Sequence, residues 1–279
     1  MTTDATEAAA PLHSESEAAP EALPEDRTLI FEQPLNERMR TFLRLDFLYS
    51  QALYHNEMAS QWGTRAAVSS LIDILAVITR GDVRSDALKE LERQLTLLGE
   101  FQSKPGVDTN RLKSLIANLT RLRGELMNSG IANLQPLRDS EFLNAIKHRS
   151  SIPGGTCEFD LPDYLYWLSQ PDETRIRAFN QWLTVLRPLC DAVSELIWLT
   201  RQNGRTRQET AQGGNFTLTF ERENPLQLLR IAVPASTGLY PEVSGSHHRC
   251  HVRFLTWKGV TERASQAESD VKFLLTCCA

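Results

Sequence analysis

The chain has 279 residues, 41% hydrophobic and 23% charged, with a formal net charge of −5; that is chain enough for one large or two modest domains, and it excludes peptide hormones and disulfide miniproteins. No run approaches the roughly 18 consecutive apolar residues of a membrane span, which predicts a protein without one. The charge is unevenly spread. Residues 1–26 hold Asp4, Glu7, Glu15, Glu17, Glu21, Glu25 and Asp26 and no Lys or Arg, which leaves 28 acidic against 30 basic residues in the body. That near-neutral body has room for a basic face toward an acidic partner.

Five cysteines, an odd number, and the lack of a basic-apolar-small leader point to a reducing cytoplasm. Residues 1–27 are rich in Ala, Glu, Ser and Pro with few large apolar side chains, so they are predicted to form a disordered acidic tail.

A first helix is predicted from Pro34 to about Asn56, with Leu35, Met39, Phe42, Leu43, Tyr49 and Leu53 on one face and Asp46 interrupting it. A second, over 64–79, ends at Arg80-Gly81, where glycine is expected to take the positive φ of a helix C-terminus. Leucines at 88, 91, 95 and 98, then at 112, 115, 119, 122 and 126, predict an antiparallel helical hairpin. Lys104-Pro105-Gly106 breaks it and Asp108 caps its second arm. Short helices follow near 139–149 and 162–168. Between them Cys157, Phe159 and Leu161 alternate, so 150–162 is read as able to add a strand. A helix over 172–202 has Asp172 as its cap, with Pro188 expected to kink or restart it.

Past Gln202 the period changes from that of helices to that of strands. Residues 203–214 read as a polar linker, and strands are predicted at 216–220, 226–233, 252–257 and 271–276. The fold class is therefore α+β: a mainly helical domain over 28–202 followed by an antiparallel β-rich domain over 203–279.

Catalytic motifs are missing: there is no phosphate-binding G-x-x-x-x-G-K, no G-x-G-x-x-G after a strand, no H-E-x-x-H and no G-x-S-x-G, and Gly154-Gly155 reads as a turn. A non-enzyme without a cofactor is expected. His247, His248, Cys250 and His251 raise a zinc-dependent alternative, but no C-x-x-C pair is present to complete a tetrahedral site. A stronger pattern lies in the same strand. If Cys250, Val252 and Phe254 face a core, then Arg249, His251 and Arg253 share the opposite face, with Lys258 just beyond. No acidic residue lies between Gly245 and Gly259. Such a stripe suits a carboxylate-bearing ligand, though a merely solvated strand face has the same pattern. Arg201, Arg205 and Arg207 are candidates to extend it. Nucleic-acid binding is the rival use of the stripe, disfavoured by its few interleaved aromatics, Phe254 and Trp257.

Several segments together resemble the ZapD family: Phe31-Glu-Gln-Pro-Leu-Asn-Glu-Arg-Met-Arg40 with Leu43-Arg44, Arg80-Gly-Asp-Val-Arg84, Lys89-Glu-Leu-Glu-Arg-Gln94, Ser151-Ile-Pro-Gly-Gly155 with Phe159-Asp-Leu-Pro162, Leu239-Tyr-Pro241 with Ser244-Gly245, and Cys277-Cys278. The resemblance implies a cytoplasmic homodimer at the mid-cell division ring. Such a protein binds the C-terminal tail of the tubulin-like protein FtsZ, cross-links its filaments, and uses neither nucleic acid nor a membrane span. It implies Arg80, Arg249 and Arg253 as partner-binding positions, to which the stripe adds His251 and Lys258. The acidic tail is an extension beyond the matching segments.

Overall fold

The computed structural model describes residues 27–102, 104–220, 226–246 and 249–279; the acidic tail over 1–26 lies outside them. A strand, β1 (Thr28–Pro34), precedes the helices α1 (Glu37–Glu57), α2 (Gln61–Arg80), α3 (Val83–Phe101), α4 (Thr109–Asn128), α5 (Gln135–Arg138), α6 (Glu141–Ser150), α7 (Pro162–Leu168) and α8 (Asp172–Gln202). The strands β2 (Arg205–Ala211), β3 (Asn215–Thr219), β4 (Leu228–Pro234), β5 (Leu239–Ser246), β6 (Arg249–Thr256), β7 (Ser265–Gln266) and β8 (Val271–Cys278) follow. The α+β class expected from the sequence is what the chain adopts.

The helices α1, α2, α3, α4 and α6 begin where short polar side chains take up free backbone N–H groups. Asn36 Oδ1 accepts from the Met39 N–H at 2.7 Å, Ser60 Oγ from Gly63 at 2.9 Å, and Asp108 Oδ1 from Asn110 and Arg111. α8 is the axis of the helical core. Its Phe179, Leu183, Leu186, Val193, Leu196 and Ile197 are buried against α1, α3 and α4. The polar interruption in the α1 stripe has a partner there, since Ser194 Oγ donates to Asp46 Oδ1 at 2.6 Å. Leu91, Leu119, Leu122 and Leu126 of the α3–α4 hairpin belong to this same core, with Leu88, Leu95, Leu98 and Leu115 packed against it. α2 is long and apolar enough, by length and composition, to cross a membrane, yet half of its most apolar window is buried in the fold, with Ala67, Val68, Leu71 and Ile74 fully covered. Burial of that kind is typical of a core helix.

Pro188 does not restart α8, which runs unbroken for 31 residues. Proline forfeits one backbone hydrogen bond, and Leu186, Leu189 and Cys190 on either side of it are buried in the core. Asp172 does not cap the helix; it lies in the first turn, paired with the buried Arg175, which also donates to the Leu168 carbonyl at 3.0 Å and to Thr64 Oγ1 at 3.2 Å. Gly81 is extended at φ −154°, leading directly into Asp82, the cap of α3.

The strands form two antiparallel sheets, one ordered β1-β4-β8-β2 and the other β3-β6-β5 with β7 beside β6. Their inner faces pack as a sandwich. Ile231, Val233, Phe273 and Leu275 of the first sheet share a core with Cys250, Val252 and Phe254 of the second, and the Phe273 ring lies 5.2 Å from Phe216 and 5.0 Å from Phe254.

Three segments depart from the sequence reading. Residues 28–34, assigned to the helical part, form an edge strand of the first sheet. The stretch read as a polar linker contains β2, paired in full with β8. Residues 151–160 run as consecutive turns and bends and add no strand; Gly154 takes φ +72°, which favours glycine. Helices and sheets are locked together by two ionic clusters. Glu32 of β1 accepts from Arg201 of α8 at 2.8 and 2.7 Å and from Arg230 of β4 at 2.9 Å. Glu90 of α3, almost fully buried, pairs with Arg38 at 2.9 Å and Arg93 at 2.6 Å, and Gln227 lies against it at 3.4 Å.

Candidate partner-binding surface

The alternation of β6 places its side chains as expected: Cys250, Val252 and Phe254 are buried, while Arg249, His251 and Arg253 are exposed on the outer face of the second sheet. Strand register sets their neighbours. Arg253 lies between Asn215 of β3 and Glu242 of β5, His251 between Thr217 and Ser244, and Arg249 opposite Thr219. A concavity of about 520 Å³ opens on this face, lined by Asn215, Thr217, Glu242, Ser244, His251 and Arg253.

The stripe is not a row of unpaired cations. Arg253 Nη2 donates to Glu242 Oε2 at 2.6 Å, and His251 Nδ1 is 3.0 Å from Thr217 Oγ1. Arg249 and Lys258 extend into solvent, Lys258 in the turn that follows β6 beside Gly259 at φ +90°. Chemically the face offers one solvent-directed cation, Arg249, a second that is exchangeable from an exposed ion pair, an imidazole, and hydroxyl donors from neighbouring strands. That set recognises carboxylates.

Arg80 is exposed at the C-terminal end of α2, where it lines a cleft among α2, α4 and α8 that shares no residue with the sheet-face concavity. Within one chain the structure does not bring Arg80 to the β6 stripe. The arginines suggested as extensions are engaged elsewhere: Arg201 is held by Glu32, and Arg205 and Arg207 lie on β2 of the other sheet, Arg207 paired with Glu209 at 2.6 Å.

Among the described residues no group of three or more His, Cys, Asp or Glu is placed to hold a metal, and His247 and His248 of the zinc alternative lie outside them. Burial, with Cys277 close by, pushes the Cys250 thiol up to about 11, so at neutral pH it is a protonated core residue and a poor metal ligand.

The sequence reading missed Glu242, Thr217 and Asn215. Glu242 was legible in principle, because it and Arg253 are equidistant from residues 247–248, as cross-strand partners in a hairpin must be.

A family model described as "ZapD: Cell division protein" matches residues 43–253. The chain is similar to proteins named cell division protein ZapD from three bacteria. That of Methylococcus capsulatus (strain Bath) is 38% identical, with 90% of this chain and 98% of the relative covered. Those of Janthinobacterium sp. (strain Marseille) and Dechloromonas aromatica (strain RCB) are 34% and 35% identical, each with 90% of this chain and 99% of the relative covered.

Proposed function

Since the chain belongs to the ZapD family of cell division proteins, we propose that it binds the C-terminal tail of FtsZ and cross-links FtsZ filaments as a homodimer, without catalysis, in the cytoplasm at the mid-cell division ring. The observation that carries this reading is the exposed basic face of β6, where Arg249, His251 and Arg253 project from one side of a sheet whose other side is core. Lys258 and, from α2, Arg80 add charge at separate points.

The mechanism is bivalency. A dimer presents two copies of one weak site to filaments that display many tails. Once one tail is held, a second attachment is effectively intramolecular, which raises avidity by roughly 10²–10⁴ without new contacts. The site itself has only to supply charge-assisted hydrogen bonds to tail carboxylates.

Co-sedimentation with polymerised FtsZ, intact and lacking its C-terminal tail, tests the reading. Wild type pellets with intact filaments alone, and Arg249→Glu with Arg253→Glu removes it from the pellet while leaving the circular dichroism spectrum unchanged. Retention of the double variant on filaments would overturn the assignment of the face.

A further inference from the structure

The described part of the chain begins at Arg27, and backbone hydrogen bonds fix where that point lies. The Ala235 N–H donates to the Arg27 carbonyl at 2.7 Å, the Gly238 N–H to the Ala235 carbonyl at 3.2 Å, and the Trp257 N–H to the Gly238 carbonyl at 2.8 Å. Standard backbone dimensions across the two intervening residues put the Arg27 carbonyl within about 16 Å of the Trp257 nitrogen. The chain therefore enters the fold beside the end of β6, the strand whose outer face carries Arg253, His251 and Arg249.

The rise of a strand gives the remaining distances. Counted back from Trp257, Arg253 lies about 13 Å and Arg249 about 27 Å away. Trp257 itself is 59% exposed, and Lys258 beside it is exposed too. No acidic residue lies between Gly245 and Gly259, and the counter-ion that Arg253 has is Glu242 of β5.

The segment ahead of Arg27, outside the described residues, complements this surface in sign, order and length. Glu21 and Glu25 flank Ala22-Leu23-Pro24, Glu15 and Glu17 stand further ahead, and residues 1–26 contain no Lys or Arg. At about 3.6 Å per extended residue, Leu23 reaches up to about 14 Å from Arg27, Glu17 about 36 Å and Glu15 about 43 Å. With side chains included, those spans take Leu23 to Trp257, Glu17 to Arg253 and Glu15 to Arg249. Guanidinium groups pair with carboxylates, and an exposed indole is a platform for apolar side chains. A segment tethered this close meets the face at an effective concentration of about a millimolar, so contacts too weak to hold a free peptide still compete.

We propose that the β6 face is a docking site for the chain's own segment Glu15–Asp26, with Leu23-Pro24 against Trp257 and the carboxylates of Glu15, Glu17 and Glu21 on Arg249 and Arg253. Docked there, the segment competes with an acidic partner for the same cations. The proposal rests on the reading of this face as a carboxylate-binding surface and adds a regulation to it. Exposed ion pairs contribute little each, so the docked segment adds little to stability.

The test uses the full-length chain, labelled with nitrogen-15, at low salt and without partner. The triple variant Glu15→Gln, Glu17→Gln and Glu21→Gln is expected to move the backbone amide signals of Arg249, His251 and Arg253. Leu23→Ser, which changes no charge, should move the Trp257 indole N–H. Unmoved β6 and Trp257 signals, or shifts confined to Lys272 or to Arg80, would overturn the proposal. In an anisotropy titration with the FtsZ tail peptide, the triple variant should bind about threefold more tightly, the gain expected if the segment covers the face about two-thirds of the time. Leu23→Ser should tighten binding as well, which loss of charge alone does not explain; affinities equal to wild type in both variants would overturn the competition. Signals that move in a chain that ignores FtsZ refute the FtsZ reading and leave the docking standing; filament binding by a chain whose signals do not move does the reverse.

Discussion

Arg253 and Glu242 meet across the β5–β6 hairpin at 2.6 Å, each about half exposed, so the most central cation of the basic face carries its own counter-ion. An exposed pair of this kind contributes about 0–1 kcal/mol. An incoming carboxylate therefore displaces Glu242 at little cost but also meets its charge. Glu242→Gln is expected to tighten binding of a fluorescent FtsZ tail peptide by up to about fivefold, with the melting temperature unchanged. Weaker binding in an anisotropy titration would mean that Glu242 holds Arg253 in its binding posture.

Salt gives a second test of the same face. Exposed charges are screened over about 10 Å at 0.1 M ionic strength and about 3 Å at 1 M, and Arg249 and Lys258 are fully in solvent reach. Filament co-sedimentation should fall steadily between about 0.05 M and about 0.5 M salt, conditions chosen to span that change in screening. A flat profile would show that apolar contacts dominate.

Glu90 makes stability depend on acid. Burial alone raises its pKa, but hydrogen bonds from Arg93 and Gln94 and the charges of Arg93 and Arg38 outweigh burial and hold it below the ordinary value of 4.5. A depressed carboxylate contributes stability that is fully present above its unfolded pKa and is lost as pH falls through the folded one. Wild type should thus lose stability below about pH 4.5. Glu90→Gln should cost about 1–3 kcal/mol at neutral pH and flatten the acid limb. Urea melts between pH 3 and pH 7 compare the two; parallel curves would remove Glu90 as the cause.

Phe273 is the ring that both sheets share. Phe273→Ala should cost about 3–5 kcal/mol, the range for deleting a buried aromatic, because it abandons Phe216 and Phe254 together. Near-ultraviolet circular dichroism and a thermal melt would register the loss, and a change under 1 kcal/mol would mean that the sandwich repacks around the gap.

Removing residues 1–26 should leave the melting temperature within about 2 °C of wild type, since so few apolar side chains contribute little burial. A drop beyond that would place the segment against the fold.

The first helices were legible because two local signals agree in them: a 3.6-residue apolar period and a polar cap, as at Asp108. The strands that escaped notice are edge strands. β2 carries Arg, Thr, Gln and Glu and exposes most of both faces, so it lacks the alternation that burial imposes on a central strand. β5 contains Pro241 and Gly245, ordinarily breakers; at a sheet edge the missing proline N–H has no ladder partner to fail. The converse error fell at 157–161, where the alternating apolar residues lie in a segment closed by local turn bonds, Cys157 N–H to the Gly154 carbonyl and Leu161 N–H to the Cys157 carbonyl. The face of β6 could be read from period two alone, whereas Glu242 and the isolation of Arg80 depend on register and tertiary placement.

The ion pair between Glu32 and Arg230 spans 198 positions, and β1 lies in a sheet whose other members are β4, β8 and β2. During translation, β1 leaves the ribosome before the helices and waits through the synthesis of all of them with its strand edges unpaired. The helical core, by contrast, has its elements in hand once α8 is out. The helices therefore have the opportunity to assemble while the sheet lacks its partners. A ribosome stalled after α8 should carry a protease-resistant helical body with β1 still open to digestion.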